Sequence, residues 1–408
     1  MIVIKQRVIY LIFLISFIIP PSLISFGPFQ VLSPMVQIIK YLAMAIIFID
    51  SVKHIRILFK EYKFTLLSGL FGASFFVYFL CTPGVWDFTH LKFYLLIIET
   101  YFCTAFLVEF LLKKHPEFFI KSIYIYYNIL LWMNFLCMVV KPHGFYMEGE
   151  NPRYLIALDN GLILYMIPAV LLAGLHRYLL PKERGLKEII TIIVAILSCF
   201  ISGSATAMVS ITVFIVLMVL AFVLKRTKRL KALINVKFIS LTYLLITYLV
   251  LFRNIIDLFS GFIINVLHRD PTLTSRTSLW QRGIYLLSQA PFYGLGYARD
   301  SSEYLIEAYG RRYTSHNNIL EILMRGGVVS AIAVVLLIFY VCVHTKKNRK
   351  NDITIFITCA YLALLIFYFS EVSFSSAGWT FIFGIMVNCE CLIKYKEDGI
   401  NKDKKEDV

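Results

Sequence analysis

The chain has 408 residues, of which 59% are hydrophobic and 16% charged, whereas an ordinary soluble domain is about one quarter charged. This excludes a soluble enzyme. The net charge of +15 does not mark a nucleic-acid binder either, because Lys and Arg stand in short clusters between apolar runs, as topology signals do.

The predicted fold class is therefore all-α and polytopic, one membrane domain over residues 1–408. Since a span needs about 20 apolar residues, twelve transmembrane helices are predicted, at 8–26, 31–50, 64–80, 91–112, 118–140, 155–175, 188–202, 205–224, 238–257, 317–343, 353–370 and 377–393. The first follows Lys5 and Arg7, as in a signal peptide, but Pro20-Pro21 interrupts it and no small-residue cleavage site follows, so a retained span is expected. Basic clusters follow every even-numbered span: Lys53/Arg56/Lys60/Lys63, Lys113/Lys114, Arg177/Lys182/Arg184/Lys187, 225–231 and Lys346/Lys347/Arg349/Lys350, with a basic tail at 394–408. A single orientation, both termini cytoplasmic, puts all of them inside. The eight cysteines show neither CxxC pairs nor metal-ligand spacing and read as small buried hydrophobes.

The odd-numbered connections are then extracytoplasmic. Most are short (27–30, 81–90, 202–204, 371–376), but 141–154 and 258–315 are long. The second is too long to be structureless. Within it Leu279, Trp280, Gly283, Ile284 and Leu287 recur at helical spacing, predicting a short helix along the membrane surface that ends at Pro291 and Gly294-Leu295-Gly296. Asp300 and Glu303 make a capping-box-like start to a second helix, 301–309, closed by Gly310.

This loop holds Arg269, Arg276, Arg282, Arg299, Arg311 and Arg312 and no Lys. Positive charge alone is indifferent to the residue that supplies it, whereas bidentate recognition of phosphate needs the planar guanidinium. Pairing with Asp270, Asp300, Glu303, Glu307 or lipid head groups is the competing reading and accounts for most of them. Arg276 is the best placed. It lies in Thr274-Ser275-Arg276-Thr277-Ser278, at the start of the first loop helix, where unpaired N–H groups and the dipole favour an anion.

His316 precedes the tenth span with Asn317 beside it. A neutral imidazole there is suited to taking a proton from a hydroxyl, and a capping or interfacial role is the alternative. Glu321 and Arg325, four apart, form a structural pair, and Gly326-Gly327 permits close packing or a bend. Arg153 opens the sixth span, which carries Asp159-Asn160-Gly161 about two turns in. Ionisable groups at that depth face a cavity or a partner, which makes Arg153, Asp159 and Asn160 site candidates, and Glu99 another. Lys40, Lys92, Arg253 and Asp257 lie near span ends and snorkel. Walker A, HExxH, GxSxG with partners and DxD-like patterns are all missing, so nothing supports a nucleotide- or metal-dependent reaction on the cytoplasmic side.

Ser275-Arg276-Thr277 with Trp280, then Pro291-Phe292-Tyr293-Gly294-Leu295-Gly296, His316-Asn317 and Gly326-Gly327, resemble the signature region of the O-antigen ligase and O-antigen/capsule polymerase superfamily. Arg153 before Asp159-Asn160, and Ser202-Gly203-Ser204-Ala205-Thr206, also look like family features, although Ala205 stands where the family often has Arg. The resemblance implies transfer of a glycan from a polyprenyl-pyrophosphate carrier to an acceptor hydroxyl at the outer face of a bacterial cytoplasmic membrane, with no cofactor. Arg276 and Arg153 would bind the pyrophosphate and His316 would serve the acceptor hydroxyl. Arg282, Arg299, Arg311, Asp159, Asn160, Asn317 and Trp280 complete the expected substrate contacts. The implied partners are the lipid-linked oligosaccharide, membrane lipid, and flippase and chain-length regulator proteins, with no nucleic acid. Repeat-unit polymerase is the favoured activity. Ligation of finished glycan to lipid A core is the alternative, and a non-enzymatic flippase or transporter is a second one.

Overall fold

The computed structural model describes residues 2–148, 151–223, 234–253, 276–296, 306–308, 311–373 and 378–406. These form a helical bundle with two short hairpins. Its principal helices are α1 (Ile2–Ile18), α2 (Leu32–Lys53), α3 (Lys63–Cys81), α4 (Phe88–Lys114), α5 (Pro116–Val140), α6 (Ile163–Leu179), α7 (Leu186–Ile201), α8 (Ala205–Val223), α9 (Val236–Arg253), α10 (Arg276–Gln289), α11 (Asn318–Lys346), α12 (Asp352–Ser370), α13 (Gly378–Val387) and α14 (Cys389–Glu406), with two short helices at Pro21–Ser25 and Ile55–Glu61. Among the described residues eight helical segments are long and apolar enough to cross a membrane, and three shorter ones, Gln6–Ile18, Ala205–Ala221 and Gly378–Val387, are also apolar. The chain is thus an all-α multi-pass membrane protein, and each predicted span overlaps a helix.

The most buried of the long helices is α12, which packs on α6, α8, α9, α11 and α13. At the other extreme α2 exposes Met35, Ile38, Leu42, Phe48 and Ile49, as a peripheral helix does when lipid is its solvent. Small residues bring helices together where the contacts are tightest. Gly72 sets α3 against the backbone of α4 at Ile98, and Ser74 on α3 hydrogen-bonds Ser330 on α11 at 2.7 Å. Cys103, Cys199, Cys359 and Cys389 are buried, and Cys81 is exposed.

Charged groups from the even-numbered connections meet one another: Lys121 pairs with Glu117 and Glu183, His176 with Glu188, and Lys347 with Glu390. The odd-numbered connections also meet, around the end of α12, where Thr206 hydrogen-bonds Ser370 and Asn317 hydrogen-bonds the Phe369 carbonyl.

Two expectations are corrected. The sixth span does not begin at residue 155. Tyr154–Ala157 is buried but not helical, because β1 (Tyr146–Glu148) pairs with β2 (Asn151–Arg153), Arg153 bridges Leu158, and the Asn134 side chain accepts the Ile156 N–H. Asp159 and Asn160 therefore stand at the head of the helical segment, in the turn Asn160–Leu162 that leads into α6, and not two turns inside. Among the described residues, the end of the predicted second loop helix, 306–308, is not helical. Ile306–Ala308 (β3) pairs with Arg311–Tyr313 (β4) as an antiparallel hairpin, while 297–305 and 309–310, with Arg299, lie outside the described residues. The basic tail is helical, as α14 runs on to Glu406.

Candidate functional site

Two helices carry the principal predicted residues, and glycines lock them together. On α10, Leu279, Trp280 and Gly283 are buried against α11, with Gly283 directly over the side chains of Leu320 and Met324. These three belong to the stripe of the helix predicted to lie along the membrane surface. Downstream of α10, α11 is broken at Gly327, whose φ of 58° and ψ of −155° are open to glycine and strained for other residues. The break frees the carbonyls of Met324 and Arg325 and the N–H groups of Val328 and Val329, which would otherwise bond each other.

The segment 291–296 takes up all four. Leu295 and Gly296 donate to Met324 and Arg325 at 2.7 and 2.9 Å, and Val328 and Val329 donate to Pro291 and Phe292 at 2.9 and 3.2 Å. Gly294, at φ 71°, lies against the Arg325 backbone with no room for a Cβ. The Pro-Phe-Tyr-Gly-Leu-Gly and Gly-Gly motifs are thus two halves of one backbone joint. They fix where α10 begins relative to where α11 begins.

At those beginnings stand Arg276 and His316. The turn before α11 is fixed by buried polar groups: Asn317 caps the helix through Leu320 N–H at 3.0 Å, and Glu321 accepts the Ser315 N–H at 2.8 Å. Glu321 also pairs with Arg325 at 2.7 Å, both side chains being buried. His316 itself has a φ of 49°, the one positive value at a non-glycine position among the described residues. Such a conformation is costly and persists where surrounding contacts impose it.

Opposite His316 is Glu371, the residue that follows α12. One carboxylate oxygen accepts from Arg276 Nη2 at 2.7 Å, and the other lies 3.3 Å from His316 Nδ1. Asn160, at the head of the α6 segment, is near enough to the same carboxylate to help hold it ionised. Four stretches far apart in sequence therefore converge on one buried group, which is 6% exposed. Burial pushes the Glu371 carboxyl up, but the His316 hydrogen bond, the Arg276 charge and the Asn160 side chain outweigh it and hold the group below its ordinary range. An ionised carboxylate only accepts hydrogen bonds. In the neutral ring the proton is accordingly on Nδ1, and Nε2 presents its lone pair.

The other predicted residues are distributed as follows. Arg153 donates to Ser22 Oγ at 3.1 Å and lies over the Tyr146 ring at 5.6 Å, joined to Asn160 through the short loop between them. Asp159 is half-buried in that loop, and its N–H bonds the Pro152 carbonyl. Arg282 is on the exposed face of α10. Trp280 is 2% exposed and its ring meets Phe369 at 6.3 Å, while Asn317 is fully buried by its cap and its Phe369 bond, so both are occupied in packing. Arg311 lies on β4, and Glu99 is half-buried on α4. Sequence reasoning missed Glu371, which it placed in a short outer connection. An acidic residue at the exit of an otherwise uncharged span was the available signal.

No curated protein matches the chain. Residues 190–335 match the family model described as O-antigen ligase. That stretch contains the Ser202–Thr206 turn, Arg276, Trp280, the 291–296 joint, His316 and Gly326-Gly327, whereas Arg153, Asn160 and Glu371 lie outside it. The stretch 190–335 is thus similar to the O-antigen ligase family.

Proposed function

We propose that this bacterial membrane protein polymerises lipid-linked oligosaccharide repeat units, joining a glycan carried on polyprenyl pyrophosphate to a sugar hydroxyl at the outer face of the cytoplasmic membrane. The observation that carries the reading is the Glu371 carboxylate shared by Arg276 and His316. It supports the reading by holding a guanidinium and an imidazole within one side chain of each other.

The reaction then runs as a direct displacement. The acceptor hydroxyl gives its proton to His316 Nε2 while its oxygen forms the bond to the anomeric carbon. The bond from that carbon to the pyrophosphate oxygen breaks, and the electron pair leaves with the pyrophosphate, so the anomeric centre inverts. Glu371 holds the imidazole in the tautomer that accepts a proton and stabilises the imidazolium that forms. Arg276, a planar fork with donors beyond the one on Glu371, meets the charge that develops on the leaving group. Arg153 and the head of α6 are the opposite wall, with Asn160 the link between them. Arg282, Arg299 and Arg311 contact the glycan or its phosphates. The twelve-span arrangement with cytoplasmic termini, supported by the segregation of odd and even connections, puts this wall outside.

The family description favours a second reading, ligation of a finished glycan to lipid A core or another surface acceptor. A deletion strain separates the two. Glycan ladders that collapse to single repeats mark a polymerase, and full-length polymer left on the carrier lipid marks a ligase.

A further inference from the structure

The outward face of α10 carries side chains that neither the packing of the helix nor a lipid surface accounts for. A helix lying in a lipid surface turns its apolar stripe to the membrane, whereas Leu279, Trp280 and Gly283 are buried against α11. What faces outward is Gln281, Arg282, Tyr285, Ser288 and Gln289, and Phe292 follows them. Tyr285 and Phe292 are 66% and 71% exposed. No acid stands between Arg276 and Gly296.

This face begins at the candidate site. Arg276, the first residue of α10, holds the Glu371 carboxylate, and from there to Gln289 the helix runs about 20 Å at 1.5 Å per residue. Just past its far end the chain rests on α3 and α4, where the Tyr293 ring lies 6.4 Å from that of Tyr78 and Gly296 lies against Tyr78 and Tyr94. The helix is thus a ledge that leads away from Arg276.

Two kinds of group line the ledge. Aromatic rings have negative faces that attract polarised C–H bonds. Amides pair a donor with an acceptor, and a guanidinium sets parallel donors in one plane. A sugar ring offers the complement of both, a face of C–H bonds and a rim of adjacent hydroxyls. A phospholipid head group calls for several cations, and among the described residues Arg282 is the one charged group on the outward face of α10.

We infer that the outward face of α10 is a glycan-binding ledge, along which the donor's sugars run from the one bonded to pyrophosphate, with Tyr285 stacked on a sugar behind the reacting one. The inference rests on the transferase reading above and adds to it recognition of the glycan beyond the bond that breaks.

Two donors on the same polyprenyl pyrophosphate, one carrying a single sugar and one a full repeat unit, test it in purified full-length protein. Tyr285→Ala should raise KM for the repeat-unit donor at least about tenfold and leave KM for the single-sugar donor within about twofold of the wild type. Tyr285→Phe keeps the ring and should recover most of the loss. An equal change for both donors, or none for either, overturns the inference.

A second readout does not depend on turnover. Ser288 is exposed and its hydroxyl bonds the Tyr285 carbonyl at 2.6 Å, so Ser288→Cys, with the native cysteines replaced, puts a thiol beside the ring. The free oligosaccharide of the strain's own repeat unit should slow its reaction with a water-soluble maleimide, and adding Tyr285→Ala should abolish that protection. Slowing by phosphatidylglycerol micelles and not by the oligosaccharide puts the face on lipid and overturns the inference. Protection by the oligosaccharide in a protein that turns over neither donor removes the transferase reading and leaves the ledge standing.

Discussion

Glu371 is the residue on which the site turns, and its roles separate by substitution. Glu371→Gln keeps the size but removes the charge that selects the His316 tautomer and neutralises Arg276. It should lower kcat about 100-fold or more with a smaller change in KM. Glu371→Asp should recover part of the loss, which a purely packing role would not allow. The same carboxylate makes stability depend on pH. Its folded pKa is depressed below the ordinary 4.5, so its contribution is complete above that value and is lost as pH falls through the folded pKa. Thermal melts in detergent should therefore drop below about pH 4.5 in the wild type and be flatter in Glu371→Gln. Arg276→Lys keeps a charge but loses the fork, and it should raise KM for the lipid-linked donor.

At the level of elements, the joint between the 291–296 segment and the broken α11 sets the spacing of Arg276 and His316. Gly327→Ala forces a Cβ against the Phe292 backbone at a positive φ, and Gly294→Ala does the same against Arg325. Each should destabilise the protein by more than about 2 kcal/mol, measurable as a lower melting temperature, with activity falling in parallel. Glu321→Gln strands the buried Arg325 and should cost about 3 kcal/mol. The joint also shows what the sequence displays and what it withholds. The glycines at 294, 296, 326 and 327 are visible as breakers, but that they face each other is a long-range backbone pairing with no local signature. The hairpin at 306–313 was concealed for a related reason: Asp300 and Glu303 satisfy a helix-start pattern, and the pairing of Ile306 with Tyr313 is stronger than that local preference.

At the scale of the whole molecule, hydropathy made each helical segment legible, because in lipid every backbone polar group must be satisfied within its own segment. Charge placement separated the two ends of the bundle. What remained hidden was convergence. Arg276 and His316 were recognisable from their neighbours, but Asn160 and Glu371 join them only through the packing of α12 against α6, α9 and α11. The proposed orientation has its own check. Single cysteines at Tyr146 and Phe292, both exposed, in a cysteine-free background should react with a membrane-impermeant maleimide in intact spheroplasts, and one at Lys347 should react only after lysis. Labelling of Lys347→Cys before lysis would reverse the topology.

The most direct measurement is of bond formation itself. Purified protein is given a synthetic repeat unit on polyprenyl pyrophosphate, and both the lengthened glycan and the released polyprenyl pyrophosphate are followed. The account expects the two products in equal amounts from the wild type, and rates at least about 100-fold lower from His316→Ala and Arg276→Ala. Lengthened glycan formed by both variants at the wild-type rate would contradict it.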